Sequence, residues 1–140
     1  MNRADAAADI VLVVDDAMDM RVFISAVFKT SGYAVETCRD GSAGLARARD
    51  IEPALIVLDV MMPGTGGSLM YKALKTDPAL AGIPVIILSA VEERSFRHYL
   101  RMVNANLDTP LPAPDAYLEK PPEAERLLET GRRLMEAARR

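Results

Sequence analysis

Three aspartates stand directly behind apolar runs: Asp15 and Asp16 close Ile10–Val14, and Asp59 closes Ala54–Leu58. Carboxylates gathered within a few ångströms repel one another unless a cation compensates. A hard divalent ion suits an acid-only site, and Mg²⁺ in particular takes oxygen ligands and joins a few carboxylates to phosphoryl oxygens. Ser89 ends the run VIILS, where a hydroxyl could hydrogen-bond an anionic oxygen. Lys120 follows AYLE, where an ammonium could pair with a carboxylate or phosphoryl group. Each residue alone has an ordinary explanation, because Asp or Ser after a strand often forms a turn or caps a helix, and a lysine is usually a solvated charge. The coincidence of all five at the ends of strands favours a site.

The elements that must carry these residues follow from periodicity. Ile10–Val14, Ala54–Leu58 and Val85–Leu88 are near-continuous Val, Ile and Leu runs, the pattern of parallel strands covered on both faces. Ala34–Cys38, after Gly32, reads as a further strand, and Ala116–Leu118 as a short one ending at Lys120-Pro121, a bond that can be cis. Between them, Val22, Phe23, Ala26 and Val27 suggest one helical stripe, and Leu69, Ala73 and Leu74 another before Pro78. Phe96, Tyr99, Leu100 and Val103 recur at helical spacing, and a last amphipathic run extends from Glu123 to about Ala138. The alternation βαβαβαβαβα predicts a doubly wound α/β sheet with helices on both faces, whose ligands gather at the carboxyl ends of the strands. Asn104–Pro114, with three prolines and no periodicity, is expected to be an extended surface loop within the domain.

With 140 residues, half of them apolar, the chain suits a single domain, 1–140, with its core at about 9–138 and an extended loop at about 104–116. Its apolar runs are far shorter than the ~18–20 residues of a membrane span, and Met1–Asp9 has no signal-peptide character. Cys38 is the only cysteine, which fits a reducing cytoplasm. A net charge of −3 disfavours direct binding to nucleic acid. The Arg pairs at 132–133 and 139–140 stand out as the one basic concentration and are expected to be a solvated helix end. His98, the only histidine, is expected on a helix surface, and Met70, Met102 and Met135 are ascribed to packing.

The doublet in VLVVDD, the segment LIVLDVMMPGTGG, the hydroxyl in VIILSA and the run AYLEKP together resemble the receiver domain of two-component response regulators, including the stand-alone chemotaxis type. The resemblance runs from the first strand to the last helix. It implies a flavodoxin-like (βα)5 fold with strand order 2-1-3-4-5. It further implies that Asp59 is the phosphoacceptor, with Asp15, Asp16, Asp59 and the Met61 backbone carbonyl around Mg²⁺ and Lys120 beside the phosphoryl group. Ser89 and Tyr117 would be the switch residues, Ser89 drawn to the phosphorylated Asp59 and Tyr117 turning inward to fill the vacated space. The implied donor is a sensor histidine kinase or a histidine phosphotransfer protein, and the output surface is the fourth helix, fifth strand and fifth helix. No effector module is read after the last helix, so output is expected through a downstream protein target or onward transfer, without a membrane or direct nucleic acid, and with a homodimer as an option.

Two departures from the family pattern concern function. The spacing from Ser89 to Lys120 is longer than usual, with the excess in or near Asn104–Asp115, so the loop with Leu107 and Leu111 is either a partner-recognition element or a tolerated insertion. Met61 and Val91, two positions after Asp59 and Ser89, are apolar where a polar side chain could position water. Gly64, Gly66 and Gly67 point to a flexible loop after Asp59. Two alternatives remain. A phosphoaspartate-type phosphatase usually carries a second Asp where Met61 stands, which leaves no acid for the leaving group. A pseudo-receiver would keep the fold without being phosphorylated.

Overall fold

The computed structural model describes residues 9–60 and 67–139. Strands β1 (Ile10–Val14), β2 (Ala34–Cys38), β3 (Leu55–Leu58), β4 (Val85–Ser89) and β5 (Ala116–Glu119) form one parallel sheet in the order β2-β1-β3-β4-β5. Helices α1 (Met18–Lys29), α2 (Gly41–Ile51), α3 (Gly67–Thr76), α4 (Glu93–Asn104) and α5 (Ala124–Ala138) alternate with them. The fold is therefore the expected doubly wound, flavodoxin-like arrangement, and each strand lies within a residue of its expected span.

The strand period of two divides the apolar residues into two cores. Val11, Val13, Leu55, Val57, Ile86, Leu88 and Leu118 pack with α1 and α5, while Leu12, Val14, Ile56, Leu58 and Ile87 pack with α2, α3 and α4. That is why the central runs are apolar at every position: both faces are covered. Local signals set several boundaries. Gly32, at φ 93°, lets the chain turn after α1 into β2. Asp40 caps α2 by accepting the Ala43 N–H at 2.8 Å.

Helix faces were less legible. In α1 the buried residues are Ile24, Ser25, Val27 and Phe28, whereas Val22 is 63% exposed and Ala26 lies at the surface. In α3 the core takes Met70, Tyr71 and Leu74, whereas Leu69 is 57% exposed. Several apolar stripes can be drawn through such helices, and only the sheet's position selects one. Tyr99 and Met102 are likewise exposed on α4, so packing explains Met70 and Met135 but not Met102. His98 is exposed as expected. Arg94, Arg97 and Arg101 form an exposed basic stripe on α4, so the terminal pairs are not the one basic concentration. Arg139 itself pairs with Asp9.

Gly131, inside α5, marks a close helix–sheet contact. A Cβ there would lie 2.9 Å from Leu55 Cδ2 and from two ring carbons of Phe28, both fully buried. Alanine would improve helix propensity by about 1 kcal/mol, but overpacking a filled core costs about 1–3 kcal/mol. Gly131→Ala is therefore expected to lower the urea midpoint with an unchanged m-value; an unchanged or higher midpoint would refute this packing.

Candidate functional site

The pairing of β1 with β3 places Val14 opposite Leu58, so Asp15 and Asp59 leave neighbouring strands side by side. The Asp59 N–H donates to Val14 O at 3.0 Å, and the Asp15 N–H donates to Cys38 O at 3.1 Å. Both carboxylates are nearly inaccessible, at 1% exposure for Asp15 and 4% for Asp59, whereas Asp16 is exposed. A carboxylate oxygen from each of Asp15, Asp16 and Asp59 falls within 4.8 Å of the others. The donor set is all oxygen and all acidic, which fits a hard divalent cation such as Mg²⁺.

Lys120 reaches this cluster from the end of β5. Its Nζ lies 2.8 Å from Asp15 Oδ2 and 3.1 Å from Asp59 Oδ2. Burial works against the ammonium, but its hydrogen bonds to Asp15 and Asp59 outweigh that and hold its pKa above the ordinary lysine value. The backbone fixes its position too, because the Lys120 N–H donates to Ser89 O at 2.8 Å; the Lys120–Pro121 peptide is cis. Asp15 also takes the turn-forming role, since its Oδ1 accepts the Ala17 N–H at 2.9 Å while Oδ2 faces Lys120. The ordinary and the functional explanation of this residue therefore hold together.

Ser89 is fully buried at the end of β4, and its Oγ accepts the Val91 N–H at 3.2 Å. Tyr117 is half-buried and already turned inward: its hydroxyl donates to Val91 O at 2.5 Å, and its ring lies 5.4 Å from that of Phe96. Burial raises the Tyr117 pKa, partly offset by a hydrogen bond with Ser89. Met61, with Met62, Gly64 and Gly66, lies outside the described residues.

Two residues at the site have roles that the sequence did not reveal. Arg21 Nη1 donates to Asp15 O at 2.9 Å, tying α1 to the β1 end; a separation of six residues carries no recognisable signature. Gly67 is the first residue of α3, where a Cβ would overlap the Asp59 carbonyl. It was expected in the loop after Asp59, but what it provides is the absence of a side chain at a close backbone approach.

Comparison with known proteins agrees with this geometry. A family model described as the response regulator receiver domain matches residues 11–131. The protein named "Probable transcriptional regulatory protein TcrX" of Mycobacterium tuberculosis is 38% identical over 98 residues, covering 67% of this chain and 41% of that protein. Protein PilH of Pseudomonas aeruginosa is 28% identical over 120 residues, covering 86% of this chain and 92% of PilH. The chain thus spans less than half of TcrX but nearly all of PilH. Among solved structures, the chemotaxis response regulator CheY4 of Vibrio cholerae superposes with a TM-score of 0.75 at 28% identity, over 90% of this chain and 98% of that one.

Removing the cation that Asp15 and Asp59 share would leave two buried carboxylates facing each other. Lys120→Met in metal-free buffer is expected to lower stability by about 3–5 kcal/mol in urea unfolding. A change near zero would show that the ammonium does not hold the cluster together.

Proposed function

We propose, since this chain belongs to the response regulator receiver domain family of two-component signalling proteins, that it is a phosphorylation-controlled switch whose phosphoacceptor is Asp59. The observation that carries this reading is the shared contact of Lys120 with buried Asp15 and Asp59, beside Asp16. Such a cluster matches what phosphoryl transfer requires, in-line positioning and neutralisation of phosphoryl oxygens.

In the proposed reaction a carboxylate oxygen of Asp59 attacks the phosphorus of a phosphohistidine on a histidine kinase or phosphotransfer protein. The new O–P bond forms as the N–P bond breaks, and its electron pair returns to the imidazole nitrogen, which takes a proton from solvent. Lys120 neutralises a phosphoryl oxygen from the position where it now touches Asp59 Oδ2. Ser89 Oγ accepts the Val91 N–H and hydrogen-bonds the Tyr117 hydroxyl, and phosphorylation would draw the Ser89 hydroxyl from Tyr117 to a phosphoryl oxygen. Asp15, Asp16 and Asp59, with the Met61 carbonyl that lies outside the described residues, would hold Mg²⁺. When bound, that ion supplies Lewis-acid neutralisation of phosphoryl oxygens.

Ser89 and Tyr117 are the proposed switch, both meeting at Val91. The proposed output face is α4, β5 and α5, docking a downstream protein, and the proposed setting is the cytoplasm. Among the described residues no helix is long and apolar enough to cross a membrane.

Incubation with Mg²⁺ and a small-molecule phosphodonor, followed by intact mass, is expected to give one phosphoryl adduct on the wild type and none on Asp59→Asn. Absence of an Asp59-dependent adduct would favour the pseudo-receiver reading. Val91, which is apolar, leaves no polar group at its position to orient attacking water. The aspartyl phosphate is expected to persist for minutes or longer in Mg²⁺ buffer; decay within seconds would contradict this.

A further inference from the structure

The segment between α4 and β5 is bound into the fold at three points. The Asn104 side-chain amide holds Leu111 twice, donating to its carbonyl at 3.0 Å and accepting its N–H at 2.8 Å. Leu111, 7% exposed, joins the core beneath α3 and α4. Pro112 O accepts the Tyr71 hydroxyl at 2.6 Å, and the Asp115 carboxylate accepts the N–H of Val85, where β4 begins. The expected surface loop is thus partly a core element, and Leu111 is not free to meet a partner.

From Pro112 a line of contacts leads to the acidic site. Tyr71 meets Phe96 edge-on at 6.5 Å, and Phe96 meets Tyr117 at 5.4 Å. The Tyr117 hydroxyl reaches Val91 O, and the Val91 N–H reaches Ser89 Oγ. Tyr117 also borders a solvent-open cleft of about 240 Å³ lined by Leu118, Glu119, Pro122 and Arg126, which is the space an outward turn of its ring would use. An element with two arrangements is what coupling requires.

We propose that residues 105–115 act as a latch: with Pro112 holding Tyr71 and Leu111 seated beneath α4, they press Phe96 onto Tyr117 and bias that tyrosine inward before phosphorylation. The proposal rests on Tyr117 being a switch residue. Tyr71 and Leu111 are positioning residues in it, acting through Phe96. A bias of this kind moves the balance between the two states by as much as the latch contacts differ between them.

The test is ¹⁹F NMR of the full chain labelled with 3-fluorotyrosine, without Mg²⁺ or phosphodonor, the Tyr117 line being assigned with Tyr117→Phe. Tyr71→Phe keeps the buried ring and removes only the bond to Pro112. It is expected to increase the outward Tyr117 population by up to roughly fivefold, the factor that one neutral hydrogen bond represents. The Tyr117 line would then move or split toward the solvent-exposed position, with Leu111→Ala acting in the same direction and the Tyr33 line, in the opposite core, unmoved. An unchanged Tyr117 line in Tyr71→Phe with a native melting transition overturns the latch, whether or not Leu111→Ala folds. Because no phosphodonor is present, this result is independent of whether Asp59 accepts a phosphoryl group.

Discussion

The parallel pairing of β1 with β3 is the constraint on which the site depends. Val14 stands opposite Leu58, so the residues that follow, Asp15 and Asp59, have no choice but to meet. Both carry negative charge into a nearly water-free position, an arrangement that costs stability unless a cation is held there. Lys120 meets that need from β5, two strands away from β3, with β4 setting the distance. A slip of one residue in any of these strands would turn its side chains to the opposite face and take the cluster apart.

The same edge gives the acidic cluster its hydrogen-bonded neighbours. Ser89 and Lys120 are joined through the backbone, and Ser89 and Tyr117 are joined through Val91. The Val91 backbone is therefore held at its N–H by Ser89 and at its carbonyl by Tyr117. A charge added at Asp59 would act on a loop already tied to the aromatic residue at the start of the β5–α5 surface, which is how a local electrostatic change can alter a distant face.

The helices on the α2–α4 side tie this edge to the longer connection before β5. Tyr71 shows how much one side chain joins: its ring fills the core, its hydroxyl binds Pro112, and burial followed by the nearby Asp115 charge raises its pKa, keeping it a donor. Lys75 lies over the Tyr71 ring, its pKa lowered by burial, and donates to Ala81 O and Ile83 O. A connection rich in proline thereby acquires a fixed path through side chains of α3 and α4 and not through secondary structure of its own.

The strands and the identity of the charged cluster were legible in the sequence alone. Apolar runs such as VIIL are legible because burial on both faces removes any need for polar alternation, and an acid or lysine directly behind such a run must emerge at the strand's carboxyl end. What the sequence could not determine was anything set by the partner across a contact. Which stripe of α1 or α3 faces the sheet, why Gly67 and Gly131 lack side chains, and why Leu111 leaves the surface for the core all depend on atoms far away in the chain. The spacing of Arg21 from Asp15 is equally silent until α1 has docked. Periodicity records how a residue relates to its own element, and only tertiary packing records what that element meets.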